Sequence, residues 1–374
     1  MKVLIAIDSM KGSLSSLEAN QVVSEVFKER GHQVIEIAIA DGGEGTVEAV
    51  IENNSGKIIP TSVHSLGGQK ITAEFGWLEK EKMAVIETAA ASGIQFLDGT
   101  LTTHPKNTSS YGTGELILAA IDKGAQKIII GLGGTGTVDG GIGLLSALGV
   151  EFYNKAEEIL PVSGGILDQI TRISTKNLSN KVKEIEFLIA SDVDSQLTGT
   201  SGAVQMFGKQ KGIKEEEVIA YDRAMKKYQE TVIGKAKSQA GDGAAGGIGF
   251  ALRTFLNGKM YSGIHLISQL SHLEEQIKTV DLVITGEGKM DNQSLHGKVP
   301  VGIGRMAKKY QVPVVAFVGS FLGDDSLFEK EGISVIVPII DKITSLEEAM
   351  ENAKQNLQRT SKRSLKLLEL IEKK

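Results

Sequence analysis

The sequence contains no cysteine. That excludes a disulfide framework and any thiolate-bound metal, and it is in keeping with a reducing cytoplasm. Nowhere does it contain the roughly 18 consecutive apolar residues of a membrane-spanning helix, so no membrane association is expected. The N-terminal apolar stretch, residues 3–7, stops at Asp8, short of the about 7–15 residues of a signal-peptide core. Basic charge is not in excess either. The formal net charge is −5 with Lys and Arg scattered along the chain, which lacks the basic footprint of a nucleic-acid binder. Proline is scarce, at 6 residues, whereas glycine is abundant, at 44 of 374, against a usual share of about 7%. These glycines form no repeat. They gather at a few points, and the hydrophobic pattern marks those points as strand ends.

The length suggests about two domains, and a 41% hydrophobic content can fill a core without a covalent staple. Residues 3–7 read as a strand buried on both faces. A helix follows with Leu17, Val22, Val23, Val26 and Phe27 at helical spacing. Ser15 and Glu18 stand at capping-box spacing at its start, and Gly31 ends it. A second strand is predicted over 34–40. Residues 58–90 read instead as an antiparallel meander around the Gly67-Gly68 turn. Strand–helix alternation resumes with strands at 127–130 and 185–190, and a polar amphipathic helix is predicted over 215–237. The last third holds strands at 281–285, 313–318 and 334–338 separated by helices, and a long helix capped by Ser345 closes the chain. The prediction is an α/β fold: a Rossmann-like parallel-sheet domain from residues 1–62 and 280–374, with a second α/β domain, 63–279, inserted into it.

Ligands of open parallel sheets bind beyond the C-terminal strand ends, so the segments there carry the functional information. They are Asp8-Ser9-Met10-Lys11-Gly12, Asp41-Gly42-Gly43-Glu44-Gly45, the Gly-rich run from Gly131 to Gly141, Ser191-Asp192-Val193-Asp194, and Gly286-Glu287-Gly288-Lys289-Met290-Asp291 leading to His296-Gly297-Lys298. A carboxylate buried alone is costly. Grouped carboxylates can hold Mg²⁺, which takes oxygen ligands beside substrate phosphates. Glycines let backbone N–H groups approach an anion, and Lys11, Lys106, Lys289 and Lys298 can supply point charges. Together these parts suit phosphoryl transfer, which needs positioning and charge neutralisation more than covalent chemistry.

Each feature has a plainer alternative. Asp41 or Asp139 can be a helix N-cap, the glycines can serve tight turns, Lys11 and Lys106 can be solvated, and His104 and His296 can be structural. These alternatives do not explain why the features recur at one predicted edge. Gly131-x-Gly133-x-x-Gly136 matches the dinucleotide fingerprint, with Glu151 at roughly the acidic position. That leaves a nicotinamide-dependent dehydrogenase as an alternative, and a non-catalytic sugar-acid-binding protein as another. No Walker A motif is present, because Asn292 and Val299 occupy its leading-glycine and Ser/Thr positions.

The same segments, with Thr108 to Gly114, Leu197-Thr198-Gly199, Phe207 to Gly212 and Gly243 to Gly247, fall in an order that resembles the glycerate kinase family in its bacterial type I form. Family members often have Pro and Phe where this chain has Ile7 and Met10, and glycine-serine-alanine types where it has Gly134-Thr135-Gly136. Neither departure removes a charged candidate. The resemblance implies ATP and D-glycerate as substrates, Mg²⁺ as cofactor, phosphoglycerate (the 2-isomer) as product, and an active site in a cleft between the two domains. A homo-oligomer is left open. On this reading the catalytic candidates are Asp192, Lys298, Lys11 and Asp8, with Asp192 as general base or Mg²⁺ ligand. Ser9, Asp41, Gly42, Gly43, Glu44, Lys106, Gly133, Gly134, Glu287 and His296 are candidates for binding substrate or nucleotide, and Asp192, Asp194 and Asp291 for the metal.

Overall fold

Val3 to Ile7 are fully buried, as a strand covered on both faces requires. In the computed structural model, which describes residues 1–372, they form an interior strand of a sheet. In chain order the strands are β1 (Lys2–Ile7), β2 (Gln33–Glu36), β3 (Lys57–His64), β4 (Lys70–Leu78), β5 (Met83–Glu87), β6 (Lys127–Gly131), β7 (Glu151–Tyr153), β8 (Arg172–Ser174), β9 (Glu186–Ala190), β10 (Lys259–Tyr261), β11 (Leu282–Asp291), β12 (Val314–Leu322) and β13 (Val335–Pro338). The chain divides into two compact units, one of residues 1–41, 48–55 and 262–374, the other of residues 42–47 and 56–261. The expected boundary at residue 62 falls inside β3, whose eight residues all pair with β4 and so belong with the second unit. Residues 262–279, expected in the insert, belong to the first.

The first unit is a five-stranded parallel sheet in the order β13-β12-β11-β1-β2. The chain runs from β1 outward to β2 and later returns to the other side of β1 as β11. This reversal between β1 and β11 is the topological switch point at which doubly wound sheets bind ligands. Helix Ser16–Lys28 covers one face. A complete capping box between Ser15 and Glu18 starts it, and Val22, Val23, Val26 and Phe27 pack it onto Val3, Ile5 and Ile7. Each such fully buried side chain contributes about 1.5–3 kcal/mol. Two strands differ from expectation. β2 ends at Glu36 instead of continuing to residue 40, and β11 runs to Asp291, so Gly286 to Asp291 are not a loop but continue to pair with β12 as far as Leu322. The closing helix is two helices, Leu346–Glu351 and Ala353–Glu372.

The second unit holds a six-stranded mixed sheet, β10-β9-β6-β5-β4-β3. β3, β4 and β5 form the antiparallel meander, and β5, β6, β9 and β10 are parallel. Its core joins Ile86, Ile128, Ile130, Phe187 and Ile189 from the strands to Leu116, Tyr228 and Phe250 from helices. Tyr228 meets Phe250 edge-on at 5.8 Å between ring centroids. Among the described residues, no helix is long and apolar enough to cross a membrane.

Candidate active site

Two polar residues of helix Ser16–Lys28 set the edge of the first sheet. Asn20 is buried; its Oδ1 accepts the Ile7 N–H at 2.9 Å and its Nδ2 donates to the Ile37 carbonyl at 2.9 Å. Ser16 Oγ donates to the Ile7 carbonyl at 2.6 Å and accepts the Ile39 N–H at 3.0 Å. Backbone groups beyond the end of a strand lose their ladder partners, and here side chains replace them. Both chain exits, toward Asp8 and toward Asp41, are fixed by the same helix. After Asp8 the chain makes a tight turn, with Met10 and Leu14 exchanging N–H···O bonds of 2.8 and 3.1 Å. Gly12 sits in it at φ +78°, a conformation that favours glycine.

Around this edge a cavity of about 410 Å³ is lined by Asp8, Ser9, Lys11, Asp41, Glu287 and Lys298 on its polar side. Asp8 is 7% exposed and Glu287 is 5% exposed. Burial first, then the charges of Asp41 and Glu287, hold the Asp8 carboxyl well above the usual carboxylate range; the Ser9 N–H and Lys11 oppose this. Burial also raises Glu287, against a 2.6 Å hydrogen bond donated by Ser294 Oγ and the Lys298 ammonium at 3.7 Å. Lys298 is the N-cap of helix Val299–Lys309, where the dipole also favours an anion. Crowded carboxylates that cannot all ionise cheaply, next to lysines, form a site ready for a proton or a cation.

The other candidates are placed less uniformly. Asp291 accepts the Gln293 N–H at 2.9 Å and pairs with Lys289 at 3.0 Å, which lowers its pKa. Its carboxylate is therefore engaged in a cap and an ion pair. Among the described residues, no three His, Asp or Glu side chains are grouped to hold a metal. Mg²⁺ needs only one or two carboxylates beside substrate phosphates, and the hard oxygens of Asp41 and Glu287 fit that demand. The side chain of His296 lies outside the described residues.

Gly42, Gly43, Glu44, Lys106, Gly133, Gly134, Asp192 and Asp194 belong to the second unit. Asp192 is half-buried just past β9, and Asp194 is exposed. Lys106 is committed to Glu217 at 2.9 Å, which also accepts from His104 at 3.0 Å, so both bases hold a surface carboxylate. Gly133 donates to the Gly42 carbonyl at 3.3 Å, and a Cβ on Gly133 would stand 2.4 Å from the Gly43 Cα. The Gly131–Gly136 run therefore serves close chain packing. The next helix, Ile142–Ala147, begins six residues after Gly136, which removes the strand–turn–helix context of the dinucleotide fingerprint. Asp139 is fully buried and accepts from Ser110 and from the N–H groups of Gly141 and Gly143, a structural role.

Sequence reasoning missed Glu87. It ends β5, its Oε1 accepts the Val47 N–H at 2.8 Å at the start of helix Thr46–Asn54, and burial raises its pKa to about 7. The signal was present, a carboxylate at the end of a buried strand, but β5 was read only as part of a meander. Asn20 was missed as well; with Ser16 and Ser24 it forms a polar row spaced by four along an apolar helix face.

A family model for the glycerate kinase family matches residues 3–369. The chain belongs to the glycerate kinase family. The family assignment agrees with the strand-edge carboxylates and lysines and marks the protein as a kinase. Glycerate 2-kinase of Escherichia coli K12 is 40% identical over 369 residues, covering 97% of this chain and 96% of its own. Glycerate kinase of Bacillus subtilis 168 is 37% identical over 368 residues, with 97% and 96% coverage. Among solved structures, a Salmonella typhimurium LT2 protein assigned as glycerate kinase 2 superposes with a TM-score of 0.87 at 36% identity over 100% of both chains.

Proposed function

We propose that the protein transfers the γ-phosphoryl group of ATP to D-glycerate, yielding 2-phosphoglycerate and ADP. The observation that carries this reading is the buried Asp8, whose carboxyl burial and the charges of Asp41 and Glu287 hold above the usual carboxylate range, in a cavity that Lys11 and Lys298 also line. The acceptor hydroxyl oxygen forms a bond to the γ-phosphorus as the bond to the β,γ-bridging oxygen breaks, and the hydroxyl proton passes to a carboxylate. Asp8 is the proposed proton acceptor, since a raised pKa makes a stronger base near neutral pH; Asp192, at the end of β9, is the second candidate. Lys11 and Lys298 neutralise phosphate or the glycerate carboxylate. Mg²⁺, held by Asp41 and Glu287, would supply charge neutralisation at the phosphates.

The 2-position is supported by the name of the E. coli relative, a glycerate 2-kinase. Phosphorus NMR of the product tests it, because phosphate couples to one proton in the 2-isomer and to two in the 3-isomer. A signal split by two methylene protons would withdraw the regiochemical part and leave the kinase reading in place.

A further inference from the structure

The cavity of the first unit has a second half that the chemistry above does not use. Beyond the charged residues it is lined by Ile339, Ile340, Leu346, Ala349, Met350 and Ala353. Ile339 and Ile340 follow β13, and the other four come from the two closing helices. This wall is apolar throughout, yet Leu346 is 77% exposed, so its side chain is not consumed by packing. Between the two halves lie Gly288 of β11 and Gly319 of β12. Neither carries a side chain that would divide the cavity. A Cβ on Gly12 would come within 2.5 Å of the Met350 methyl. The glycine therefore lets the Asp8–Ser13 turn and the apolar wall close on each other.

The cavity is long as well as divided. It passes from Asp8 at the end of β1, across β11 and β12, to Ile339 after β13. That is three inter-strand spacings of about 4.8 Å, roughly 14 Å in all. Glycerate has three carbons and no apolar face, so it can occupy only the charged end. A nucleoside triphosphate has the required form: a chain of phosphates at one end, a flat aromatic base at the other, and a sugar between them. Ligand pockets of 300–1,000 Å³ are typically apolar with a few polar groups that fix orientation, and this one matches in volume and in the separation of its two characters.

Resting on the reading of the protein as an ATP-dependent kinase, we infer that the wall formed by Ile339, Ile340, Leu346, Ala349, Met350 and Ala353 is the subsite for the adenine base. The triphosphate then runs over Gly288 and Gly319 toward Lys298 and Asp8. The phosphoryl donor is read by the first unit through apolar contact with its base.

The test has two arms on the full-length protein. In the first, 8-azido-ATP is photolysed on the protein with and without competing ATP, and the labelled peptides are identified. ATP-protected labelling within residues 339–353 is expected; protected labelling confined to other segments overturns the inference. In the second, Leu346→Asp and Ala349→Phe are compared with the parent in steady-state kinetics. Each should raise the KM for ATP by about tenfold or more, the scale of a methylene-sized change in an apolar pocket, while the KM for glycerate stays within about twofold. Leu346 is largely exposed, so its variant keeps the fold if Ala349→Phe does not. An unchanged KM for ATP in a folded Leu346→Asp, or a rise only in the KM for glycerate, contradicts the assignment. If the parent releases no ADP with glycerate, the kinase reading fails; the labelling arm then still decides whether this wall holds the base.

Discussion

Asn20 Oδ1 accepts the Ile7 N–H at 2.9 Å while the same amide donates to the Ile37 carbonyl at 2.9 Å. One side chain thus ties the end of β1 to the segment that leads to Asp41. Replacing Asn20 by Ala leaves two buried backbone groups unpaired, each costing about 1–3 kcal/mol. Urea unfolding of Asn20→Ala should show a loss of about 2–5 kcal/mol, with turnover falling because Asp8 is no longer held. A variant as stable as the parent would remove Asn20 from this role.

Asp8 is expected to carry opposite signs for stability and activity. Its folded-state pKa is raised by burial and by Asp41 and Glu287, so its charge is unfavourable in the fold above the unfolded pKa. Asp8→Asn keeps an oxygen for the Ser9 N–H, which donates to Oδ1 at 2.8 Å, and removes the charge. At pH 8 the variant should melt above the parent, yet kcat should fall by about 10²–10⁴-fold. Asp192→Asn, measured alongside, discriminates the second candidate: if it loses that activity and Asp8→Asn does not, the proton acceptor is Asp192.

Glu87 predicts a pH-dependence of stability. Its pKa rises from 4.5 to about 7 on folding, so between those values the folded state binds more proton than the unfolded state. Its contribution is fully present below about pH 4.5 and is lost as pH rises through 7. The difference amounts to up to about 3 kcal/mol. Glu87→Gln retains an acceptor for the Val47 N–H. Denaturant midpoints for parent and variant should therefore converge at low pH and separate toward pH 8, with the variant the more stable. Parallel pH profiles would contradict this.

Lys298 stands 3.7 Å from Glu287 and is 36% exposed at its side chain. The contact is long, and without it the buried Glu287 carboxyl can take up a proton, so the loss of Lys298 should cost little stability. If it contacts substrate or phosphate, Lys298→Met should lower kcat/KM by about 10²-fold with a melting temperature near that of the parent. Unchanged kinetics would leave Lys298 a partner of Glu287 alone.

β1 was legible because a parallel strand buried on both faces has a simple signature, a short continuous apolar run. The extension of β11 past Thr285 was not, because Gly286 and Gly288 read as turn residues. In the structure they let two strands approach; a Cβ on Gly319 would lie 2.3 Å from the Gly288 carbonyl oxygen. The Gly131–Gly136 run is ambiguous in the same way. Close packing and phosphate binding both select glycine, and sequence alone does not separate them. Asp8, Asp41, Glu287 and Lys298 were legible because charge at a strand end is costly without a purpose. Asn20 was not, because a polar residue on a helix ordinarily faces water, and only the fold shows this one facing two strand ends.

The most direct test of the central claim is ADP release by the purified protein with Mg²⁺-ATP, measured with and without D-glycerate. The account predicts release that depends on D-glycerate, saturates with it, and disappears when the metal is chelated. A folded protein that releases no ADP with D-glycerate, or releases it equally without the acceptor, would contradict it.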